Sequence, residues 1–533
     1  MASKNVPVTI IGGGPVGLAL ALSLARQGVR SRVLEISETT TTHPKARGVW
    51  ARAMEIFRQF GIEDRIRSGG LPDGSDNFVL LDGLDHELAR TEAEPRNDHG
   101  PARKSIVSQD VVEESLAWAV AGQPNAEVCW RTEFIGAVED ESGVVIQARD
   151  LKTGEILSWR SDFVVGCDGG AGVAAKAAGI EYERVPIQAV MLNTYFKADL
   201  SSYPCARDGG VLVNRIDDER DPIHILNTNG ADRWLMLRPI GREKDERERP
   251  MTEDETVSFI RTVLRAPHLP IAVINESTWR VTRRVALKFR NGRFFLAGDA
   301  AHRFPPNGGH GMNSGIEDAH NLAWKLAFVL RGEAGPALLD TYEAERQPRA
   351  FANAEMAFKN YARYPYVRAA HKSLDPDRIA FWIKDLNNHI HSSGHVLGFV
   401  YDDGALIADG TTRPPESPRF YEPTDRPGSR FPHIWLDDAH TRTTLDLFDD
   451  SLVLVVGADG EVWRRAAATA AESLSIKLPV FALEDAGLRE GVHIGPRGAA
   501  LVRPDGVTAW RIGWLPADPA VELEQVINTV LRR

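Results

Sequence analysis

Gly298-Asp299-Ala300-Ala301-His302, followed by Pro306, Gly308, Gly309, Gly311, Met312 and Asn313, is the stretch on which the fold turns. Alone, a glycine-rich loop ahead of a helical run (Met312 to Arg331) is common. It becomes decisive beside a second loop at the start of the chain. There a β-branched run, Val8-Thr9-Ile10-Ile11, leads into Gly12-Gly13-Gly14-Pro15-Val16-Gly17 and an Ala/Leu-rich helix, Leu18 to Arg26. This is the spacing G-x-G-x-x-G between strand and helix. Gly12 permits the tight turn, Gly14 lets the backbone approach a pyrophosphate, and Gly17 lets helix and strand pack closely. Phosphates then meet free N–H groups at the positive end of the helix, where Pro15 and Val16 stand. Ser31 to Leu34 reads as the next strand and ends at Glu35, whose carboxylate is placed to accept hydrogen bonds from an adenosine ribose. An acid there favours free ribose hydroxyls over a phosphorylated ribose. The alternative is a glycine turn with no ligand, and strand, helix and acid in register weigh against it.

Two distant cofactor signatures in one chain are what wrapping around FAD requires. The predicted fold class is α/β + β: a Rossmann-like FAD domain of the glutathione-reductase type, an inserted β-sheet substrate domain and a C-terminal thioredoxin-like domain. Its expected parts are 1–184 (FAD domain, first part), 185–285 (substrate sheet) and 286–409 (FAD domain, second part, with a helical extension). A proline-rich linker, 410–433, and a thioredoxin-like unit, 434–533, follow. In the first part a helix spans Arg52 to Phe60, and another opens at Val111 with Ser108 or Asp110 as N-cap. The sheet rests on Met191 to Ala198, Ile223 to Thr228 and Trp234 to Pro239, the last with Trp234, Met236 and Arg238 on one face. Six prolines, Pro414 to Pro432, exclude regular structure from the linker. Beyond it the order strand, helix, strand, two strands about Asp505-Gly506 and closing helix is thioredoxin-like. No cysteine follows Cys205, which excludes dithiol chemistry there.

At 533 residues the chain exceeds one hydrophobic core. Apolar residues are 43% of it, and no apolar run approaches the roughly 18 residues of a membrane span. The N-terminus shows no charged-then-apolar leader. Cys129, Cys167 and Cys205 fit neither a disulfide framework nor a metal site, so no metal and a cytoplasmic location are expected. A formal charge of −11 argues against nucleic-acid binding. The mixed-charge run Arg242 to Arg249 reads as a solvated loop.

The motif set resembles the single-component FAD-dependent aromatic hydroxylases, most closely the branch of phenol, chlorophenol and polyketide hydroxylases with a redox-silent thioredoxin-like C-terminus. It is carried by the N-terminal glycines, Arg47, Gln109, Cys167-Asp168-Gly169, Gly298-Asp299 through Asn313, and Gly498 through Gly506. The resemblance implies that Glu35 holds the ribose, that Arg47, Gln109 and Asp168 line the FAD path, and that Asp299 binds the ribityl chain. Pro306 and the Gly311-Met312-Asn313 backbone would meet the isoalloxazine. Independently of it, reduced flavin carries negative charge near N1 and O2, and a helix start at Met312 and Asn313 offers unpaired N–H groups to that charge. Asp299 has a rival reading as a helix cap, and His302 stands between a packed imidazole and a catalytic base. One motif departs from the family. Where Asp-Gly-x-x-Ser and a following Arg are usual, the chain has Asp168-Gly169-Gly170-Ala171-Gly172 and then Ala175. That departure bears on reduction by NAD(P)H more than on FAD binding.

The activity implied is hydroxylation of a small phenolic substrate with O2 and NAD(P)H through a flavin C4a-hydroperoxide. NADH or NADPH would bind transiently, because no second G-x-G-x-x-G exists, and a homodimer is implied by the resemblance alone. No residue stands out as the substrate's base; His224 and Met236 are candidates for the substrate wall. Three other readings compete. A halogenase would carry W-x-W-x-I-P, which is absent. Baeyer-Villiger or oxidative decarboxylation chemistry on a polycyclic natural product uses the same scaffold, and an FAD-loaded, low-turnover protein that binds an intermediate is the third.

Overall fold

A computed structural model describes residues 5–183, 189–214, 223–241, 250–484 and 491–533; the mixed-charge run 242–249 lies outside them. The helices used below are α1 (Pro15–Arg26), α2 (Glu253–Leu264), α3 (His310–Leu330), α4 (Asp340–Ser373), α5 (Pro376–Ile390), α6 (Glu461–Leu474) and α7 (Pro519–Val530).

The first core is a six-stranded sheet in the order Arg290–Asn291, Phe294–Leu296, Phe163–Gly166, Val8–Ile11, Ser31–Leu34, Ala126–Cys129. All neighbours are parallel except the outer hairpin of 290–291 with 294–296. Val8, Ile10, Val33, Val164, Val165 and Phe295 are fully buried, as a parallel sheet covered on both faces demands. The topology brings three loops to one edge. Those after Ile11, Gly166 and Leu296 all leave the C-terminal ends of adjacent parallel strands, where open α/β sheets bind ligands.

A second, seven-stranded sheet runs Ala272–Val281, Ala189–Lys197, Arg233–Gly241, Ile223–Asn227, Val211–Asn214, Phe78–Leu81, Glu87–Arg90. Its last two strands come from the N-terminal part of the chain, so this sheet is not the product of residues 185–285 alone. Phe78-Val79-Leu80-Leu81 is a continuous apolar run because both its faces are covered. On the far face, Val79, Phe196, Trp234 and Met236 pack on Phe259, Ile260 and Val263 of α2. The near face carries Phe78, Leu80, Val211 and Val213 against Val367 of α4 and Ile390 of α5.

The C-terminal four-stranded sheet runs Val480–Ala482, Val453–Val456, Ala499–Val502, Thr508–Ile512. One face buries Leu454, Val456 and Leu501 with Trp463 of α6, Leu523 of α7 and Trp324 of α3; the other buries Val453, Val455 and Val502 with Phe431 and Phe448. The proline-rich span 410–433 has neither helix nor strand, yet it is packed rather than loose: Arg430 and Asp425 are at most 1% exposed.

Candidate functional site

Gly12 sits at φ 103° in the turn after the first strand, and a Cβ there would lie 2.4 Å from the Cys167 carbonyl oxygen. A Cβ on Gly17 would lie 1.9 Å from the Gly12 oxygen. Both glycines let backbone meet backbone. Gly14 is different: it caps α1, and nothing lies within 4 Å of where its Cβ would point. The open side of the turn, at the positive end of α1, is therefore the side a diphosphate could approach. Beside it Glu35 accepts from the Gly13 N–H at 2.6 Å and the Ser37 N–H at 2.8 Å, which fixes its carboxylate at the end of the second strand.

Across this turn the loop after Leu296 forms a single helical turn, Gly298–Ala300, with Gly298 against Val16. Asp299 caps no helix. Its side chain is 49% exposed and its nearest ionic neighbour, Arg303, stands 3.9 Å away, so the carboxylate could accept hydroxyls from a ligand. α3 begins at His310 after Gly309 in the left-handed region (φ 66°), with no side chain capping its first N–H groups. Those donors remain for an anion. Asn313 holds this helix start: its Oδ1 accepts from the Trp50 N–H at 2.9 Å, and its Nδ2 donates to the carbonyls of Gly309 (2.7 Å) and Gly48 (3.2 Å). Pro306 is exposed in the preceding loop.

His302 is 1% exposed, stacks on Phe304 at 4.9 Å and shares a 2.6 Å hydrogen bond with Asp318, the position of a packed imidazole. Asp318 also accepts from the Gly298 N–H (3.0 Å) and from Arg346 Nε (2.7 Å). Burial pushes its carboxyl up, but His302 and Arg346 outweigh burial and hold it at about 2. The sequence reading missed Asp318 and Arg346. Their own segments do not name a partner: Asp318 shares its helical face with Ser314, Gly315, Asn321 and Leu322, and Arg346 with Tyr342, Glu343, Arg349 and Ala350.

Asp168 Oδ2 accepts from the N–H groups of Val173 (2.6 Å) and Ala174 (3.0 Å). The carboxylate thus caps the short helix that carries Ala175, and burial raises its pKa. Arg47 donates to the Gly210 carbonyl at 2.5 Å, tying the first sheet's loops to the second sheet; burial lowers it to about 10 despite Asp76. Gln109 donates to Glu113 at 2.6 Å, and Glu113 also accepts from the Thr41 N–H.

His224 and Met236 part company. His224 pairs with Leu237, and Met236 with Ile225, so they occupy opposite faces of the second sheet. His224 is on the near face with Tyr195, Leu235 and Phe78; Met236 is 1% exposed on the opposite face, in the α2 core. Strict alternation fixes which residues share a face within one strand but not the register that relates two strands, so the sequence could not tell whether these two share a face.

Residues 5–357 match the FAD binding domain family and residues 424–533 the aromatic-ring hydroxylase C-terminal family. The chain is 33% identical to the tetracenomycin A2 monooxygenase-dioxygenase of Streptomyces glaucescens, covering 100% of this chain and 98% of that one. It is 32% identical to the 4-methyl-5-nitrocatechol 5-monooxygenase of Burkholderia sp, over 99% and 98%. Among solved structures it superposes on the flavin-dependent monooxygenase PieE, crystallised with FAD and substrate, with a TM-score of 0.91 at 30% identity over the whole of both chains. With both family regions matched and its relatives covered end to end, this chain belongs to the FAD-dependent aromatic-ring hydroxylases.

Proposed function

We propose that the enzyme hydroxylates a phenolic ring, mono- or polycyclic, using O2 and reducing equivalents from NADPH or NADH. The observation that carries this reading is the convergence of an open glycine turn, a half-exposed Asp299 carboxylate and an uncapped helix start on one edge of the first sheet. FAD, when bound, supplies the redox chemistry, accepting reducing equivalents and activating oxygen for insertion into the ring. The chain's own residues bind, orient and shield. The α1 N–H groups and Gly14 would take the diphosphate, Glu35 the ribose hydroxyls and Asp299 the ribityl hydroxyls. N–H groups at Met312 and Asn313 would stabilise negative charge at the ring's edge, and they are preorganised because the Asn313 amide clamps the helix start to Gly48 and Trp50. Leu235, Leu237 and Tyr195 on the near face would exclude water above the ring.

Anaerobic stopped-flow reduction of the FAD-loaded protein by NADPH and NADH, with and without phenols, tests the reading. Reduction accelerated by a phenol, and hydroxylated product exceeding hydrogen peroxide in air, are expected. Absence of reduction under every condition would overturn it in favour of a binding protein.

A further inference from the structure

Beside the Pro306–Asn313 loop lies a group of aromatic and imidazole rings that includes the wall candidate His224. Phe78 and His224 from the second sheet, Tyr364 from α4 and His389 from α5 stand around one another. Ring centroids are 5.1 Å apart for His224 and Tyr364, 5.2 Å for Phe78 and His389, 6.0 Å for Tyr364 and His389, and 6.5 Å for Phe78 and His224. The group adjoins the loop proposed to meet the flavin ring: the Tyr364 hydroxyl lies against the Asn307 side chain, and Asn360, one turn earlier on α4, donates to the Asn307 carbonyl at 3.3 Å.

Leu80, Val213, Val367, Ala370 and Ile390 pack in the same cluster as Phe78, and His371, His310, Arg363 and Lys104 stand near enough to act on the two imidazoles. Aliphatic side chains would pack here at lower cost than imidazoles, since a buried polar group is costly unless hydrogen-bonded. His389 is only 7% exposed, and its Nδ1 is buried without a hydrogen-bond partner among the described residues. Burial holds His224 at about 4 and His389 at about 3, so both rings are neutral at pH 7. A neutral imidazole presents one nitrogen as donor and the other as acceptor, and an aromatic hydroxyl can serve either. Phe78 supplies an apolar face for the ring that bears it.

We propose that His224, Tyr364 and His389, with Phe78, form the end of the substrate pocket that recognises a ring hydroxyl, so that the enzyme takes phenols and rejects their ethers. The inference rests on the aromatic-hydroxylase reading above and adds the group by which the substrate is held. The hydroxyl hydrogen-bonds to an imidazole nitrogen and no proton is transferred.

The test uses the FAD-loaded full chain with 4-nitrocatechol and 1,8-dihydroxyanthraquinone, a small and a polycyclic probe, each beside its methyl ether. Binding is read from perturbation of the flavin's visible spectrum. At least one hydroxylated probe is expected to bind at least about tenfold tighter than its ether. His389→Phe and His224→Phe should each erode that preference with FAD content unchanged, and His389→Gln, which keeps hydrogen-bonding atoms, should restore part of it. The proposal is overturned if the wild-type protein binds phenol and ether alike, if neither hydroxylated probe binds, or if both Phe variants keep the preference. The aromatic-hydroxylase reading fails separately: a protein that discriminates phenol from ether but oxygenates nothing with NADPH or NADH would sink that reading and leave the recognition site standing.

Discussion

Replacing Gly17 with Ala would set a Cβ 1.9 Å from the Gly12 oxygen, in backbone that has nowhere to move, whereas the same change at Gly14 meets nothing within 4 Å. Gly17→Ala should therefore cost about 1–3 kcal/mol of stability, measurable by chemical denaturation. Gly14→Ala should leave stability within about 0.5 kcal/mol yet weaken FAD binding at least about tenfold in a fluorescence titration. A Gly14→Ala protein with native FAD affinity would place the diphosphate elsewhere. The placement of these glycines and Glu35 was legible in the sequence because it is local: a strand, a turn and a helix within one short segment dictate where each must be. Tyr364 and His389 were not. They meet Phe78 and His224 through four separate segments of chain, and no periodicity encodes which distant side chains will share a space.

Helix α3 has two jobs, offering free N–H groups at its start and holding the Gly298 turn through Asp318 about two turns further on. The folded-state value of Asp318, about 2, lies below the roughly 4 of a free carboxyl. Its contribution to stability is accordingly complete above about pH 4 and lost as pH falls toward 2. FAD release followed by fluorescence between pH 5 and 2 should steepen in that window. In Asp318→Asn the acid dependence should flatten, and stability at pH 7 should fall by about 3 kcal/mol because Arg346 loses a buried partner. An unchanged acid profile would remove Asp318 from the machinery that holds the turn. At this scale the sequence was legible wherever an element made its own contacts: the strand before Gly12, the strand before Gly298 and α3 all lie where apolar runs and glycines put them. The second sheet was legible only in part. Phe78–Leu81 joins it from outside the expected block, and an apolar run covered on both faces says that it is buried without saying in which sheet.

The C-terminal unit is joined to the rest by buried charge. Arg503 reaches back to Glu345 of α4 with two 2.8 Å hydrogen bonds and to Asp505 at 3.0 and 2.5 Å. Glu345 also accepts from Lys325 (2.9 Å), Asn321 (2.7 Å) and the Ala405 N–H (2.8 Å). Arg430 pairs with Glu55, whose other partner Arg52 donates to the Asp505 carbonyl. Burial lowers Lys325 to about 8 even though Glu345 opposes it, the mark of a cation whose desolvation is incompletely repaid. Lys325→Met should thus change stability by no more than about 1 kcal/mol, while Arg503→Met, which leaves two carboxylates facing each other, should cost about 3–5 kcal/mol. Denaturant unfolding of both variants checks the contrast, and equal losses would refute it. Composition shows these charges but not their burial, because a Lys or Glu reads as surface until its partners are known.

This junction bears on any attempt to build chimeras from these enzymes. A tail grafted from a relative would dock only if it delivered guanidinium groups to the spots that Arg503 and Arg430 occupy, since Glu345 and Glu55 would otherwise be sealed away from water short of those cations. The interchangeable piece is therefore the tail together with its matching residues on α3 and α4, and a recombination boundary drawn at the prolines alone would cut through the lock.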